Sequence, residues 1–267
     1  MALQIYISIL SIAALALCTS ANHDSVNFSY IGPNGPLKWG TLKQSFAACS
    51  NGKAQSPVDL AMTNIVVNNV LKSLDRNYLP TNATLVNHQY SIGVHFEGKV
   101  GDININGMNY SLKQLHWHAP AEHRAHGRLH DAELHLVHFT EDNNNIAVVA
   151  QLYRLGVPDP LISKIEDKFY KLVNENHAGN KNANIALGTF DVNELNKKIY
   201  RYYRYVGSLT TPPCKEGVIW NVIDKVRTLS KKQLELLKAP LGVEFQHNAR
   251  PLQPLNGRKI EMYNYHT

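Results

Sequence analysis

Two short segments carry the residues best suited to chemistry, Gln114-Leu-His-Trp-His118 and Glu133-Leu-His-Leu-Val137. Both alternate polar with apolar residues, the period of a β-strand, whose successive side chains point to opposite faces. On that reading Gln114, His116 and His118 share one face, and Leu115 and Trp117 bury the other. Glu133, His135 and Val137 share a face in the same way, opposite Leu134 and Leu136. If the two strands are neighbours, three imidazoles converge on one point. Three neutral nitrogens leave a zinc ion its full double charge and keep a fourth tetrahedral position for water. Water held in this way is known to have a pKa near 7, so hydroxide exists at neutral pH to attack an electrophilic carbon. A ligating imidazole also needs its second N–H accepted, and Gln114 and Glu133 each stand two residues before a histidine on the same face. A buried carboxylate is costly unless paired, so Glu133 on an apolar strand requires a partner.

Most of the other histidines among the thirteen have plainer expectations. His123, His126 and His130 fall in a polar, exposed connection around Gly127. His138 faces away from His135 by strand parity. His177, His247 and His266 have no helpful neighbours.

The elements that must position these groups are mostly strands. Ser91–Phe96, Asp102–Asn106, Gln114–His118 and Glu133–Phe139 alternate, while Ile146–Leu155 is an apolar run suited to a buried strand. Val218–Val226 is a further strand. Helical spacing follows Pro160 through Leu161, Ile165, Phe169 and Leu172. Ser230 with Gln233 forms a capping box ahead of Leu234 and Leu237, and Pro240 stops that helix. Asp191–Glu194 opens a short third helix. The expected fold is mainly β: a single domain on a large, mostly antiparallel twisted sheet with a few peripheral helices.

The chain has 267 residues and is 44% hydrophobic, enough for one sizeable core, and no linker or repeat divides it. A formal charge of +6 is moderate, and the basic residues are scattered without a nucleic-acid motif. They read as solvated surface, with weak attraction to acidic surfaces the lesser reading. The apolar run Ile5–Leu17 is too short to span a bilayer and ends in Thr19-Ser20-Ala21, so residues 1–21 read as a signal peptide ahead of a domain over 22–267. No later segment is apolar enough to anchor the chain. Cleavage removes Cys18 and leaves Cys49 and Cys214, which in an oxidising compartment form one disulfide or, alternatively, stay as two buried thiols. Three glycosylation sequons, at Asn27, Asn82 and Asn109, agree with export.

Beyond the two histidine strands, the chain carries Ala121-Glu-His123, Gly207-Ser-Leu-Thr-Thr-Pro-Pro213, Asn34-Gly-Pro36 with Trp39, Gln55-Ser-Pro-Val58 and Asn248-Ala-Arg-Pro251. In this order and number they resemble the signatures of alpha-type carbonic anhydrases. Tyr202-Tyr-Arg-Tyr205 and Pro213-Cys-Lys-Glu-Gly217 are most similar to the plant branch. The resemblance implies a zinc lyase that reversibly hydrates carbon dioxide to bicarbonate by a zinc-bound hydroxide. It makes His116, His118 and His135 the zinc ligands, with Gln114, Glu133 and Asn248 supporting them. Thr210 matches the residue that orients the hydroxide, Glu122 the carboxylate behind it, and Thr211 a neighbour at the substrate. Val137, Val148, Leu209 and Trp220 match the apolar wall for carbon dioxide, Tyr30 an active-site tyrosine, and Cys49 with Cys214 the disulfide of exported members.

One position departs from the family. Where efficient members carry a proton-shuttle histidine, this chain has Tyr90, whose phenol is poorly matched to neutral pH. His88, of the same strand parity, is the expected substitute, with His95 in the same segment. The implied partners are carbon dioxide and bicarbonate, with no nucleic acid and no integral membrane anchor. The implied location is the secretory pathway, extracellular or apoplastic, or the chloroplast by the secretory route. The rival readings are a non-catalytic storage or binding protein on the same fold and a redox role, for which the sequence offers no redox centre.

Overall fold

Alternation along the central segments is realised as one eleven-stranded sheet. In chain order the strands are β1 (Asp59–Leu60), β2 (Ile65–Val67), β3 (Thr81–Asn87), β4 (Ile92–Phe96), β5 (Asp102–Ile105), β6 (Met108–His118) and β7 (Arg124–Ala125). They continue with β8 (Ala132–Phe139), β9 (Ile146–Leu155), β10 (Asn184–Phe190), β11 (Arg201–Ser208), β12 (Glu216–Leu229) and β13 (Ile260–Asn264). The computed structural model describes residues 27–181 and 183–265, so the expected signal segment at 1–21 lies outside the described residues. The order across the sheet is β10-β3-β4-β6-β8-β9-β12-β11-β13-β2, with β5 added to β6. β9 with β12 and β13 with β2 run parallel, and the other junctions are antiparallel. The short β1 and β7 form a separate parallel pair.

Each expected strand overlaps an observed one; Ser91 and Asn106 fall just outside β4 and β5, and β9 has the expected limits. β6 and β12 run several residues beyond the spans predicted from alternation. The segment after Pro160 breaks into two helices, Pro160–Ser163 and Glu166–His177, the first capped by Asp159 accepting from Leu161 N at 2.9 Å. The capping box at Ser230 and Gln233 is formed and opens the helix Lys231–Lys238. Asp191–Glu194 gives only a 3-10 turn, Asn193–Leu195.

The two faces of the sheet bury different things. Leu115, Trp117, Leu134 and Leu136 join Phe169 and Leu172 of the long helix in the larger apolar cluster, and the Trp117 and Phe169 rings meet edge to face at 6.0 Å. Val137, Val148, Ala150, Leu152 and Trp220 belong to a second cluster. This division is the one that strand parity predicts, and it puts the histidine strands between the two clusters.

His138 lies on the packed side, fully buried, with Nε2 2.7 Å from the Tyr78 hydroxyl. Burial pushes its pKa from 6.5 down to about 3. The folded state keeps this ring neutral while the unfolded chain takes up a proton, so its contribution to stability is complete above about pH 6.5 and is lost as pH falls toward 3. Across that window the loss is at most about 5 kcal/mol. Denaturation midpoints measured against pH should fall less steeply on the acid side for His138→Gln; an unchanged slope would place the acid sensitivity elsewhere.

Candidate metal centre

β6 and β8 pair antiparallel with His116 directly opposite His135 and His118 opposite Glu133. The same row continues to Gly93 on β4 and Ala150 on β9, so small residues flank the two histidines. Three imidazoles therefore meet on one face, with ring centroids 5.0, 5.1 and 4.7 Å apart. One nitrogen from each ring lies within 4.8 Å of the other two.

Each outer ring nitrogen has an acceptor. His116 Nδ1–H donates to Gln114 Oε1 at 2.9 Å, His118 Nδ1–H to the Asn248 carbonyl at 2.6 Å, and His135 Nε2–H to Glu133 Oε1 at 2.8 Å. This fixes three tautomers and turns three bare nitrogens inward: His116 Nε2, His118 Nε2 and His135 Nδ1. His116 Nε2 and His135 Nδ1 are 3.3 Å apart, and His118 Nε2 is buried without a hydrogen-bond partner. Burial, reinforced at His116 by the neighbouring imidazoles, lowers the pKa of all three rings, which keeps them neutral at pH 7. A buried orphan nitrogen beside two others, all neutral and all oriented from behind, fits a three-histidine zinc site.

Glu133 is fully buried and saturated. Oε1 accepts from His135 Nε2 and from His123 Nδ1 at 2.7 Å, and Oε2 accepts from the Glu122 and His123 backbone N–H groups at 2.9 and 2.8 Å. Burial alone would raise its pKa, but the His123 and His135 rings bring it well below 4.5. His123 corrects an expectation: it is not in an exposed connection but completely buried, and His130 is buried too, whereas His126 is exposed. In its neutral form His123 gives its Nδ1–H to Glu133, so Nε2 accepts from the Tyr205 hydroxyl at 2.6 Å. Tyr205 in turn meets Ser56 Oγ at 2.8 Å, and Ser56 Oγ accepts from Ser208 N at 3.0 Å.

That chain of bonds ends at the loop carrying Thr210 and Thr211. Ser56 N donates to Ser208 Oγ, Gln55 Nε2 to the Cys214 carbonyl, and Cys49 is bonded to Cys214 as a disulfide. Gly207 is needed here, because a Cβ would come within 2.1 Å of Ser56 Oγ and 2.7 Å of the Tyr205 ring. Arg250, buried, donates to Gln55 Oε1, the Ser56 carbonyl and the Cys49 carbonyl, while its backbone N–H goes to Glu122 Oε1 at 2.9 Å. Glu122 Oε2 lies 3.6 Å from His118 Nε2. Burial raises the Glu122 pKa to about 7, against the His135 ring, the Arg250 backbone N–H and the Thr210 hydroxyl, which lower it; Oε2 has no hydrogen-bond partner among the described residues.

The expected apolar wall forms a row in register: Val137 faces Val148, and Val148 faces Trp220. Leu209 packs against the same cluster. The Trp220 ring is 4.8 Å from that of His135, so the wall begins where the imidazoles end. Asn248 holds His118 through its carbonyl, and its side chain accepts from Ala119 N and donates to the Tyr90 carbonyl. Tyr30 is buried, with its hydroxyl unpartnered among the described residues.

His88 is half-buried, its Nε2 3.2 Å from His95 Nε2. Burial and then the His95 ring lower its pKa to about 3. So weak a base carries no proton near neutral pH, which runs against the shuttle role expected of it. His123, Tyr205, Ser56 and Arg250 were not singled out by sequence reasoning. The signal available was their place within Ala121-Glu-His123, Tyr202-Tyr-Arg-Tyr205, Gln55-Ser-Pro and Asn248-Ala-Arg-Pro251.

The model for the eukaryotic-type carbonic anhydrase family matches residues 34–264. Alpha carbonic anhydrase 7 of Arabidopsis thaliana is 40% identical over 258 residues, which cover 96% of this chain and 92% of that protein. Alpha carbonic anhydrase 8 of the same plant is 43% identical over 244 residues, 90% of this chain but 61% of the relative, so this chain spans less than two thirds of it. The crystal structure of dioscorin complexed with ascorbate superposes with a TM-score of 0.85 at 40% identity, covering 90% of this chain and 98% of that one. With the family model spanning both histidine strands, the Thr210 loop and Asn248, the chain belongs to the eukaryotic-type alpha carbonic anhydrase family.

Proposed function

We propose that this protein catalyses the reversible hydration of carbon dioxide to bicarbonate and a proton, with zinc as its resident cofactor. The observation that carries the reading is the trio of inward nitrogens, His116 Nε2, His118 Nε2 and His135 Nδ1, each oriented by an acceptor on the far side of its ring. A zinc ion held there would lower the pKa of a water molecule to about 7 and, by its charge, return Glu122 to its ionised form.

The chain's own residues supply the rest. Thr210 gives its hydroxyl proton to Glu122, which leaves its lone pairs to accept from an incoming O–H and so orients the attacking oxygen. Arg250 and the Cys49–Cys214 bridge hold this pair in place by bracing the two loops that carry it. Val137, Val148, Leu209 and Trp220 exclude water from one side and receive the apolar substrate, with Thr211 beside it. Gln114, Glu133 and the Asn248 carbonyl keep the three histidines in the ligating tautomer.

Stopped-flow hydration of carbon dioxide before and after zinc chelation tests the activity; a rate that chelation leaves unchanged would refute it. Thr210→Val should retain zinc and lose roughly 10²–10³-fold in kcat, the usual consequence of removing one preorganised hydrogen-bonding group at a developing charge. Near-normal turnover in that variant would remove Thr210 from the mechanism.

A second reading, a binding protein on this fold, draws support from the likeness to dioscorin, whose structure was solved with ascorbate. Retention of all three histidines together with Glu122 and Thr210 favours the catalyst. We also propose that the chain is exported after cleavage near Ser20 or Ala21, leaving one domain over 22–267. The disulfide supports this, as do the exposed positions of Asn27, Asn82 and Asn109.

A further inference from the structure

Outside the three-histidine centre, a second pair of imidazoles has the same mutual geometry. His88 follows the end of β3 and His95 lies on β4, which pairs with β3 in antiparallel register. Their Nε2 atoms are 3.2 Å apart and their ring centroids 4.9 Å apart. At the metal centre the corresponding nitrogen separation is 3.3 Å and the centroid separations run from 4.7 to 5.1 Å. Two nitrogens bound to one tetrahedral zinc at about 2.0–2.1 Å sit about 3.3–3.4 Å from each other. We propose that His88 and His95 form a second, weaker site for a divalent zinc-like ion, ligated by both Nε2 atoms and completed by water.

The local structure favours this arrangement. A hydrogen bond between two neutral imidazoles needs one protonated and one bare Nε2, whereas a cation uses both lone pairs at once. Gly93 makes the room: a Cβ there would lie 3.0 Å from His88 Nε2 and 2.8 Å from the Leu115 carbonyl. Gly93 pairs with His116, so the second site lies one strand away from the first. Both residues are half-buried rather than sealed in the core, so water can complete the shell. Burial lowers the pKa of each, so protons do not compete with a metal at pH 7. With two protein ligands against three, this ion binds less tightly and leaves first.

Equilibrium dialysis of the untagged protein against zinc, with bound metal measured by emission spectrometry, tests the proposal. Wild type should saturate at two equivalents, one surviving a brief chelator wash and one removed by it. His95→Gln should keep only the tight equivalent, and His88→Gln the same; near-UV circular dichroism confirms that each is folded. His135→Ala should lose the tight equivalent and keep the weak one. Saturation of wild type at one equivalent, or a weak equivalent that persists in folded His95→Gln or His88→Gln, would overturn the second site. Because the tight ion is counted separately, either result leaves the proposed hydration reaction to its own test.

Discussion

Replacing His135 by alanine should leave the purified protein without firmly held zinc at the main centre and reduce carbon dioxide hydration to background. The substitution deletes one of three inward nitrogens, the one that β8 contributes to the trio. Loss of a group that merely orients a ligand typically costs 10–100-fold in metal affinity, and loss of the ligand itself should exceed that. The fold should survive, because Glu133 retains His123 and two backbone N–H groups as partners. Metal analysis and stopped-flow assay on the same sample read both consequences. A folded His135→Ala that keeps tight zinc and full turnover would mean that the ligand set is wrong.

Glu133→Ala should be the most damaging change at a residue that neither ligates the metal nor meets the substrate. Four hydrogen bonds end on this carboxylate in a site closed to solvent, two from imidazoles and two from backbone N–H groups. Removing one partner of a buried, charge-assisted network leaves its donors unpaired, and the loss is about 3–5 kcal/mol. His135 would also lose the acceptor that fixes its tautomer, so zinc affinity should drop by roughly 10–100-fold. The pH dependence has a definite sign. The folded-state pKa lies below the ordinary 4.5, so the contribution of Glu133 is present above that value and is lost as pH falls beneath it. Chemical denaturation at pH 7 gives the stability change. A loss under about 1 kcal/mol, no larger than one ordinary hydrogen bond, would show that the network is not coupled.

The ligand side of this centre was legible because strand parity is a strong local rule. One residue of slip would have turned His116 and His118 into the packed layer, where Leu115 and Trp117 sit. What parity could not give was the neighbour relation between β6 and β8, or the exact opposition of His116 and His135. Those depend on pairing across the whole sheet. β3, β10, β11 and β13 went unread for a related reason. β10 is largely exposed, and β11 is buried along most of its length while carrying tyrosine and arginine, so neither shows a clean alternation of apolar and polar residues.

His123 was misread because charge and glycine around it resemble a solvated turn. Its true partner set, Glu133 and Tyr205, comes from strands 10 and 82 residues away. Arg250 is a similar case: an arginine reads as surface until the structure shows it surrounded by three carbonyl oxygens contributed by Gln55, Ser56 and Cys49. Thr210 has no chemical signature of its own in a proline-rich stretch and is assigned a role only through family resemblance. The shuttle expectation for His88 rested on parity and an ordinary imidazole pKa, and burial beside His95 removed the second of these.

The proposed chemistry requires three imidazoles sharing one ion. The zinc K-edge absorption fine structure of protein carrying a single tight equivalent measures this directly. The expected spectrum is three imidazole nitrogens at about 2.0–2.1 Å with one further light ligand from solvent. A shell with fewer than three imidazoles, or protein that retains no tight zinc while hydrating carbon dioxide, would contradict it.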